Sequence, residues 1–188
     1  MAGILMDLKN VRICYAQNIF KPSAYKEGQD VKYNAQFIIS DPEQLKAAQK
    51  VCLDAAEMVW PKMGAKVIKE LEGGDFLCLR DGDKKPDREE VAGLHYLAAS
   101  NRKRPTIINR DRSPVAEEDG IIYSGCTVNA KIEIYGFPME KGKKGVFATL
   151  MGVQFVKDGD AFSGIAKTVS ADEFDDIADT GADDDIGL

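Results

Sequence analysis

The chain concentrates positive charge in one short segment, Arg102-Lys103-Arg104, and adds Arg110 and Arg112 shortly after it. Three neighbouring cations repel one another unless an anion lies among them, so this segment favours contact with phosphate groups. A turn that is merely solvated is the alternative explanation. We predict that these five side chains contact the backbone of a polyanion.

A second group of cations, Lys141, Lys143 and Lys144, lies in a segment predicted to be a hairpin loop. Lysine-rich hairpins are also ordinary solubility devices, so for this group phosphate contact and a purely solvating role are equally open. We include all three lysines among the candidate phosphate-binding residues.

Aromatic side chains accompany cations in two further places. Tyr135 falls on the polar face of an alternating segment, beside Lys131, and Phe20 and Tyr25 flank Lys21 in a predicted loop. Cations that follow a phosphate backbone, together with rings on which bases stack, are what single-stranded nucleic acid binding requires. For any single ring, packing in the core is at least as well supported. Tyr96 and Phe137 are weaker stacking candidates, and we assign Phe37, Phe147 and Phe155 to the core.

Enzymatic sites are poorly supported. The segment from Gly136 to Lys144 resembles a phosphate-binding loop, but five residues separate its glycines where the motif has four, and a strand is predicted where a helix is required. Cys126 and His95 do not make a convincing nucleophile and base, because Cys126 begins an apolar strand face. Glu133 alone does not supply the carboxylates of a nuclease. We expect no catalytic residues.

Metal and cofactor sites are not expected either. The four cysteines are widely spaced, never form a C-x-x-C motif and match no zinc-site pattern with the single histidine. We predict reduced, mostly buried thiols. The acidic run Asp183-Asp184-Asp185 has no fixed geometry that would hold a catalytic metal ion.

The end of the chain carries the opposite charge to the cationic segments. Residues 171–188 contain eight carboxylates and no Lys or Arg, while the other residues hold 25 basic and 23 acidic side chains. The net charge of −6 therefore conceals a mildly basic body. This arrangement suits a protein whose body binds a polyanion and whose tail imitates one. The candidate partner-contacting residues are Phe174, Asp183, Asp184, Asp185, Ile186 and Leu188.

Short alternating segments predict a mainly β body. We predict strands over 9–20, 31–39, 76–79, 94–100, 105–109, 126–135 and 146–157, the last one central and apolar on both faces. Residues 80–90 are predicted to be a solvated loop, and residues 136–145 a connecting loop. One clear helix follows Asp41 as N-cap, with Pro42 in its first turn and Gln44 in a capping box, and Trp60-Pro61 ends it. A shorter helix is predicted over 65–71.

Several short strands with one helix inserted between them are compatible with a Greek-key barrel such as an OB-fold. Composition alone also permits a β-sandwich. The chain can afford one sizeable core, so we predict one domain over 1–170 and a disordered acidic tail over 171–188. No apolar run is long enough to span a membrane, and the start of the chain lacks the features of a signal peptide.

Several blocks of sequence together resemble a phage and prophage family long catalogued as a domain of unknown function. The matching blocks are residues 18–22 and 32–39, 93–100 and 104–111, and, most specifically, 123–130 and 145–159. That family is regarded as phage single-stranded DNA-binding proteins with an OB-fold, similar in layout to the T7-type phage protein. One departure is the chain end, where related tails usually finish on phenylalanine. Here the last residue is Leu188, and Phe174 lies further in.

The resemblance implies a protein that coats and protects single strands during phage replication and recombination in the cytoplasm of the bacterial host. It also implies an acidic tail that recruits replication or recombination proteins. A phage structural or scaffolding protein with a nucleic-acid-mimicking tail is the main alternative, and a nuclease a distant one. A homodimer is a further alternative.

Overall fold

A computed structural model describes residues 2–24, 26–162 and 174–175. Its strands and helices are, in chain order, β1 (Ile4–Cys14), β2 (Tyr33–Ile39), α1 (Pro42–Val59), α2 (Gly64–Leu71), β3 (Leu79–Asp81), β4 (His95–Asn101), β5 (Thr106–Ile108), β6 (Thr127–Pro138) and β7 (Lys144–Lys157). Within these ranges, neither helix has the length and apolarity that crossing a membrane would require.

Five of the strands close into a barrel. The strand order is β3-β4-β2-β1-β6-β7-β5, and a parallel pairing between Ser100 of β4 and Thr149 of β7 joins the two sides. The other barrel pairings are antiparallel, and β5 extends the sheet as a parallel neighbour of β7. This mainly β architecture with two helices is the OB-type barrel that the sequence analysis predicted.

The strand pattern of the sequence accounts for β6 best. Ala130, Ile132 and Ile134 are almost fully buried, whereas Lys131 between them is exposed. The prediction for the first strand is wrong at both ends. β1 begins at Ile4, in an apolar run without visible alternation, and stops at Cys14 because the next residue takes a left-handed conformation and a 3-10 turn follows.

The helix α1 covers one end of the barrel. Its N-cap is as predicted, since the Asp41 carboxylate accepts a hydrogen bond from the Glu43 N–H at 3.1 Å. The predicted capping box is wrong, because the Gln44 amide instead bonds the backbone N–H and C=O of Lys9 in β1, at 2.6 and 3.0 Å. The helix packs closely on β6 at Gly136, where a Cβ atom would meet the Ala55 carbonyl oxygen at 3.0 Å.

Long-range pairing corrects two other predicted boundaries, and the burial predicted for β7 is corrected as well. β3 lies at 79–81 instead of 76–79, because it pairs with β4 only from Leu79 onward. The predicted loop 136–145 shrinks to 139–143, since β6 and β7 pair up to Pro138 and Lys144. β7 is central, as predicted, but it is not buried on both faces: Met151, at a bulge, is exposed.

A smaller apolar cluster lies outside the barrel. Cys14, Ile38, Tyr96 and Val91 are buried together, with Leu94 and Phe162 packed against them. The residues between β3 and β4 therefore cover the outer surface of β2 and β4.

Candidate nucleic-acid interface

The outward-facing residues of β6 and their partners on β7 form one continuous surface. Successive side chains of a strand lie on opposite faces, so the neighbours of the buried β6 residues point outward. From Asn129 to Phe137 this surface runs for about 26 Å. We call it the β6–β7 face; it consists of Asn129, Lys131, Glu133, Tyr135 and Phe137, paired with Gln154, Gly152, Thr149, Phe147 and Gly145.

One end of the β6–β7 face is aromatic. The ring centroids of Tyr135 and Phe147 are 6.2 Å apart, with an angle of 50° between the ring planes, and Phe137 is 44% exposed. Burial is the main cause that raises the pKa of Tyr135, so its phenol is neutral at physiological pH. The assignment of Phe147 to the core is wrong, because it pairs with Tyr135 on the outer surface, whereas Phe37 and Phe155 are buried.

The lysine hairpin extends the aromatic end. Lys141 and Lys143 lie in the connection between β6 and β7, and Lys144 pairs with Pro138, one step beyond Phe137. The Lys144 Nζ atom lies 3.8 Å from a carboxylate oxygen of Glu70. Lys141 and Lys143 form no ion pair with any residue in the described ranges. The structure therefore brings the predicted lysines next to the exposed rings.

The opposite end of the β6–β7 face carries arginines. Residues 109–113 form a hairpin tip closed by the bond from the Asn109 N–H to the Ser113 carbonyl, 2.8 Å. The Gln154 Nε2 group donates to the carbonyls of Asn109 and Arg110, at 3.4 and 3.3 Å, and so ties the tip to β7. The Arg110 guanidinium lies 5.4 Å from the centre of the Phe155 ring, and Arg112 is exposed.

The segment Arg102-Lys103-Arg104 runs beside β7, on the side away from β6. The Asn101 amide anchors it by donating to the Leu150 carbonyl at 2.9 Å. Arg102 forms an exposed ion pair with Asp30 at 2.5 Å. Lys103 and Arg104 are exposed and have no ion-pair partner among the described residues.

A cleft of about 400 Å³ lies toward the arginine end of the β6–β7 face, where Asn129 and Gln154 line it. At its rim, the Lys131 Nζ atom lies 2.8 Å from the carboxylate of Asp7. The hydrogen bond from Lys131 is the main cause that lowers the pKa of Asp7. The lining residues are Asp7, Lys9, Thr106, Ile108, Asn129, Ala130, Lys131, Met151, Gly152, Val153 and Gln154.

Of the predicted binding residues of the first loop, Phe20 is buried and Lys21 is paired with a carboxylate. Phe20 is only 9% exposed and belongs to the core cluster, so its prediction as a stacking ring is corrected: no face of the ring is open. Lys21 is exposed and lies 3.4 Å from Glu117. Tyr25 lies outside the described residues, as do the tail residues Asp183, Asp184, Asp185, Ile186 and Leu188; of the tail candidates only Phe174 is described, and it is exposed.

The outer surface of β2 and β4, which OB-folds commonly use for ligands, is covered in this chain. Tyr96 is 1% exposed there, so its prediction as a stacking ring is wrong. Arg88 lies over the Tyr96 and Tyr15 rings, 4.9 and 5.4 Å from their centres, and bonds Gln36 at 2.6 Å. The predicted solvated loop over 80–90 is confirmed only in part, because its exposed residues flank an arginine that packs on rings. The exposed residues are Asp83, Lys84, Pro86, Asp87 and Glu89.

The residues considered for catalysis take structural positions. Burial is the main cause that raises the pKa of the Cys126 thiol to about 11, which disfavours a nucleophilic thiolate. In the described part of the chain, no three His, Cys, Asp or Glu side chains are grouped so that they could hold a metal ion.

Two solved structures of phage proteins are similar to this fold. The single-stranded DNA-binding protein of bacteriophage Enc34, solved in complex with single-stranded DNA, matches with a TM-score of 0.63 and 24% identity, over 84% of this chain and 89% of that one. The bacteriophage T7 single-stranded DNA-binding protein gp2.5 matches with a TM-score of 0.54 and 15% identity, over 88% of this chain and 92% of that one. At these identities the structures show a shared fold.

Sequence comparison establishes the family. Protein p50 of Acyrthosiphon pisum secondary endosymbiont phage 1 is 39% identical over 183 residues, which span 92% of this chain and 94% of that protein. The family model described as the single-stranded DNA-binding protein of Enterobacter phage Enc34 matches residues 5–186. The chain therefore belongs to the Enc34 family of phage single-stranded DNA-binding proteins.

Proposed function

We propose that this chain binds single-stranded DNA along the β6–β7 face, largely without sequence preference. The observation that carries the proposal is the placement of rings and cations along the β6–β7 face. The half-buried Tyr135 and the exposed Phe137 lie at one end, beside the hairpin lysines, and Arg110 lies in the hairpin tip at the other end. Family membership supports the same function. The outer surface of β2 and β4 is covered and so cannot contact DNA, whereas the β6–β7 face is accessible to it.

The rings account for binding that tolerates any sequence. Every base has an aromatic face, and a stacked base contributes about 1–3 kcal/mol, by the effect of alanine substitution. Tyr135 and Phe137 are two residues apart on the same side of β6, so they present neighbouring ring faces to successive bases. Bases inside a duplex are already stacked, so the aromatic end favours single strands.

The cations fall into two groups with different expected contributions. Lys103, Arg104, Lys141 and Lys143 have no carboxylate partner among the described residues, so a phosphate can approach them directly. Four others must exchange a carboxylate for a phosphate and should therefore contribute less; they are Lys21, Arg102, Lys131 and Lys144. Arg110 and Arg112 complete the set at the hairpin tip.

The test is the affinity of the full chain for matched single-stranded and double-stranded oligonucleotides, measured by fluorescence anisotropy over a salt series with and without magnesium. We expect clear preference for the single strand and a log–log salt slope of about −0.7 for each phosphate contacted. A preference for duplex contradicts the proposal. Loss of the oligonucleotide over time with magnesium would indicate a nuclease instead.

We propose further that residues 171–188 compete with DNA for the cations at the two ends of the β6–β7 face and, once displaced, recruit replication or recombination proteins. The eight carboxylates of this segment support the proposal, because a tethered anion acts at an effective concentration in the millimolar range. Deleting residues 171–188 should raise the affinity for short single strands. A control chain with Asn and Gln in place of the tail acids should behave like the deletion. Unchanged affinity in both would exclude competition.

A further inference from the structure

Two amide side chains lie opposite each other where the β6–β7 face lines the cleft. Asn129 of β6 and Gln154 of β7 are direct cross-strand partners, and both line the cleft of about 400 Å³. Side chains at directly opposed positions of an antiparallel pair start about 5 Å apart. One small planar group in the cleft can therefore contact both amides.

The orientation of each amide is set by the backbone beside it. The Asn129 Oδ1 atom accepts the Asn10 N–H at 3.0 Å, so its Nδ2 group is left to donate. The Gln154 Nε2 group donates to the carbonyls of Asn109 and Arg110, so its Oε1 atom is left to accept. Neither remaining group bonds any residue in the described part of the chain. The cleft therefore presents a hydrogen-bond donor, the Asn129 Nδ2 group, beside a hydrogen-bond acceptor, the Gln154 Oε1 atom, and both are fixed in orientation.

A nucleobase offers the complement of this pair on its Watson–Crick edge. Thymine has N3–H beside O4, cytosine has N3 beside its N4 amino group, adenine has N1 beside its N6 amino group, and guanine has N1–H beside O6. A donor–acceptor pair can therefore bond any of the four bases. In a duplex the same edge is occupied by the opposite strand.

The rest of the cleft suits a base as well. Ile108 and Met151 supply apolar surface for its faces, and Lys9 places a cation at the rim. Asp7 would repel a phosphate, but its charge is compensated by Lys131 at 2.8 Å. A volume of about 400 Å³ lies within the range of sites that hold small planar ligands.

We infer that this cleft takes up one unpaired base, whose Watson–Crick edge bonds the Asn129 and Gln154 amides, and that the contact selects single strands over duplex. The inference rests on the proposed single-stranded DNA binding. The rest of the β6–β7 face contacts only base faces and phosphates, so this cleft would add a hydrogen-bonded contact to the edge of a base.

The experiment compares a short oligo-thymidylate with the same strand built from N3-methylthymine, which stacks but lacks the N3–H donor. The wild-type full chain should bind the methylated strand about twofold to tenfold more weakly, which corresponds to one lost hydrogen bond. Gln154→Met keeps the length of the side chain and removes the acceptor, so this variant should bind both strands equally. Gln49→Met, on the exposed surface of α1, is the matched control and should behave like wild type.

The outcomes separate the inference from the proposed function. Equal binding of both strands by wild type, or the same methylation effect in Gln154→Met, overturns the inference. Failure of wild type to bind the unmodified strand would overturn the proposed function instead. The wild-type comparison needs no variant, so it remains decisive even if Gln154→Met does not fold.

Discussion

At the level of single residues, an aromatic ring can stack on a base only where the fold leaves one of its faces open. Phe137 meets this condition because it stands on the outer side of β6 near the hairpin. Phe20 and Tyr96 do not, although the sequence places both beside polar residues. A basic–aromatic pattern in a loop is thus weaker evidence for stacking than a ring on the polar side of an alternating strand.

Phe137→Ala should weaken binding of short single strands by about fivefold to a hundredfold, since one stacking surface is lost. Its melting temperature should fall by no more than that of the control below, because the two side chains are buried to a similar extent. Anisotropy titration and thermal unfolding measure the two effects. Met63→Ala, which removes an apolar side chain of similar exposure (42%) between α1 and α2, is the control. Equal affinity in both variants would argue against stacking on Phe137.

At the level of elements, α1 does more than close the barrel, because it also holds β1 where that strand is irregular. The pairing of β1 with β6 shifts between Leu8 and Val11, and the Gln44 amide bonds both backbone groups of Lys9 within this interruption. Lys9 lines the cleft, so α1 helps to position one residue of the candidate base site through its contact with the Lys9 backbone.

Gln44→Ala should lower the free energy of unfolding by about 1–2 kcal/mol, because two backbone groups of β1 lose their partner. It should also weaken single-strand binding by a small factor, since Lys9 is no longer held at the rim. Urea unfolding and anisotropy titration test the two effects. Gln49→Ala, further along the same helix and without a bond to β1, should stay within about 0.5 kcal/mol of wild type. A Gln44→Ala chain as stable as that control would refute the role of this contact.

Whether an element could be predicted from the sequence depends on how far apart in the chain its interacting residues lie. The helix α1 and the strands β2 and β6 could be predicted because capping and alternation are local. The capping box failed because Gln44 had a better partner in β1, far away in the sequence. Residues 80–90 could not be predicted to pack, since the contact of Arg88 with Tyr15 and Tyr96 depends on strands that lie apart in the chain.

At the level of the whole molecule, the barrel and its outer cluster enclose all four cysteines. Burial is the main cause that raises the pKa of Cys14 and Cys126 to about 11. The Cys52 and Cys78 sulfur atoms are 3.8 Å apart in the core, and their mutual contact together with burial raises the pKa of Cys78. The reduced, buried thiols expected from the sequence are therefore well shielded.

The folded chain should react slowly with a thiol reagent such as dithionitrobenzoate at pH 8. A raised pKa leaves little thiolate at that pH, and the thiolate is the reactive form. Unfolding in urea should release four reactive thiols, which is the internal control. Rapid reaction of any thiol in the native state would show that this part of the core opens easily.

The sequence by itself determined the charge separation between a mildly basic body and an acidic end, the alternation of β6, the start of α1 and the family resemblance. These depend on composition and on neighbours in the chain. Only the tertiary structure decided that Phe20 and Tyr96 are buried, that the surface of β2 and β4 is covered, and that Asn129 and Gln154 meet across one cleft. The physical reason is that strand pairing and the packing of the segment before β4 join residues that are far apart in the chain, and these contacts determine which ring faces and amide groups remain open.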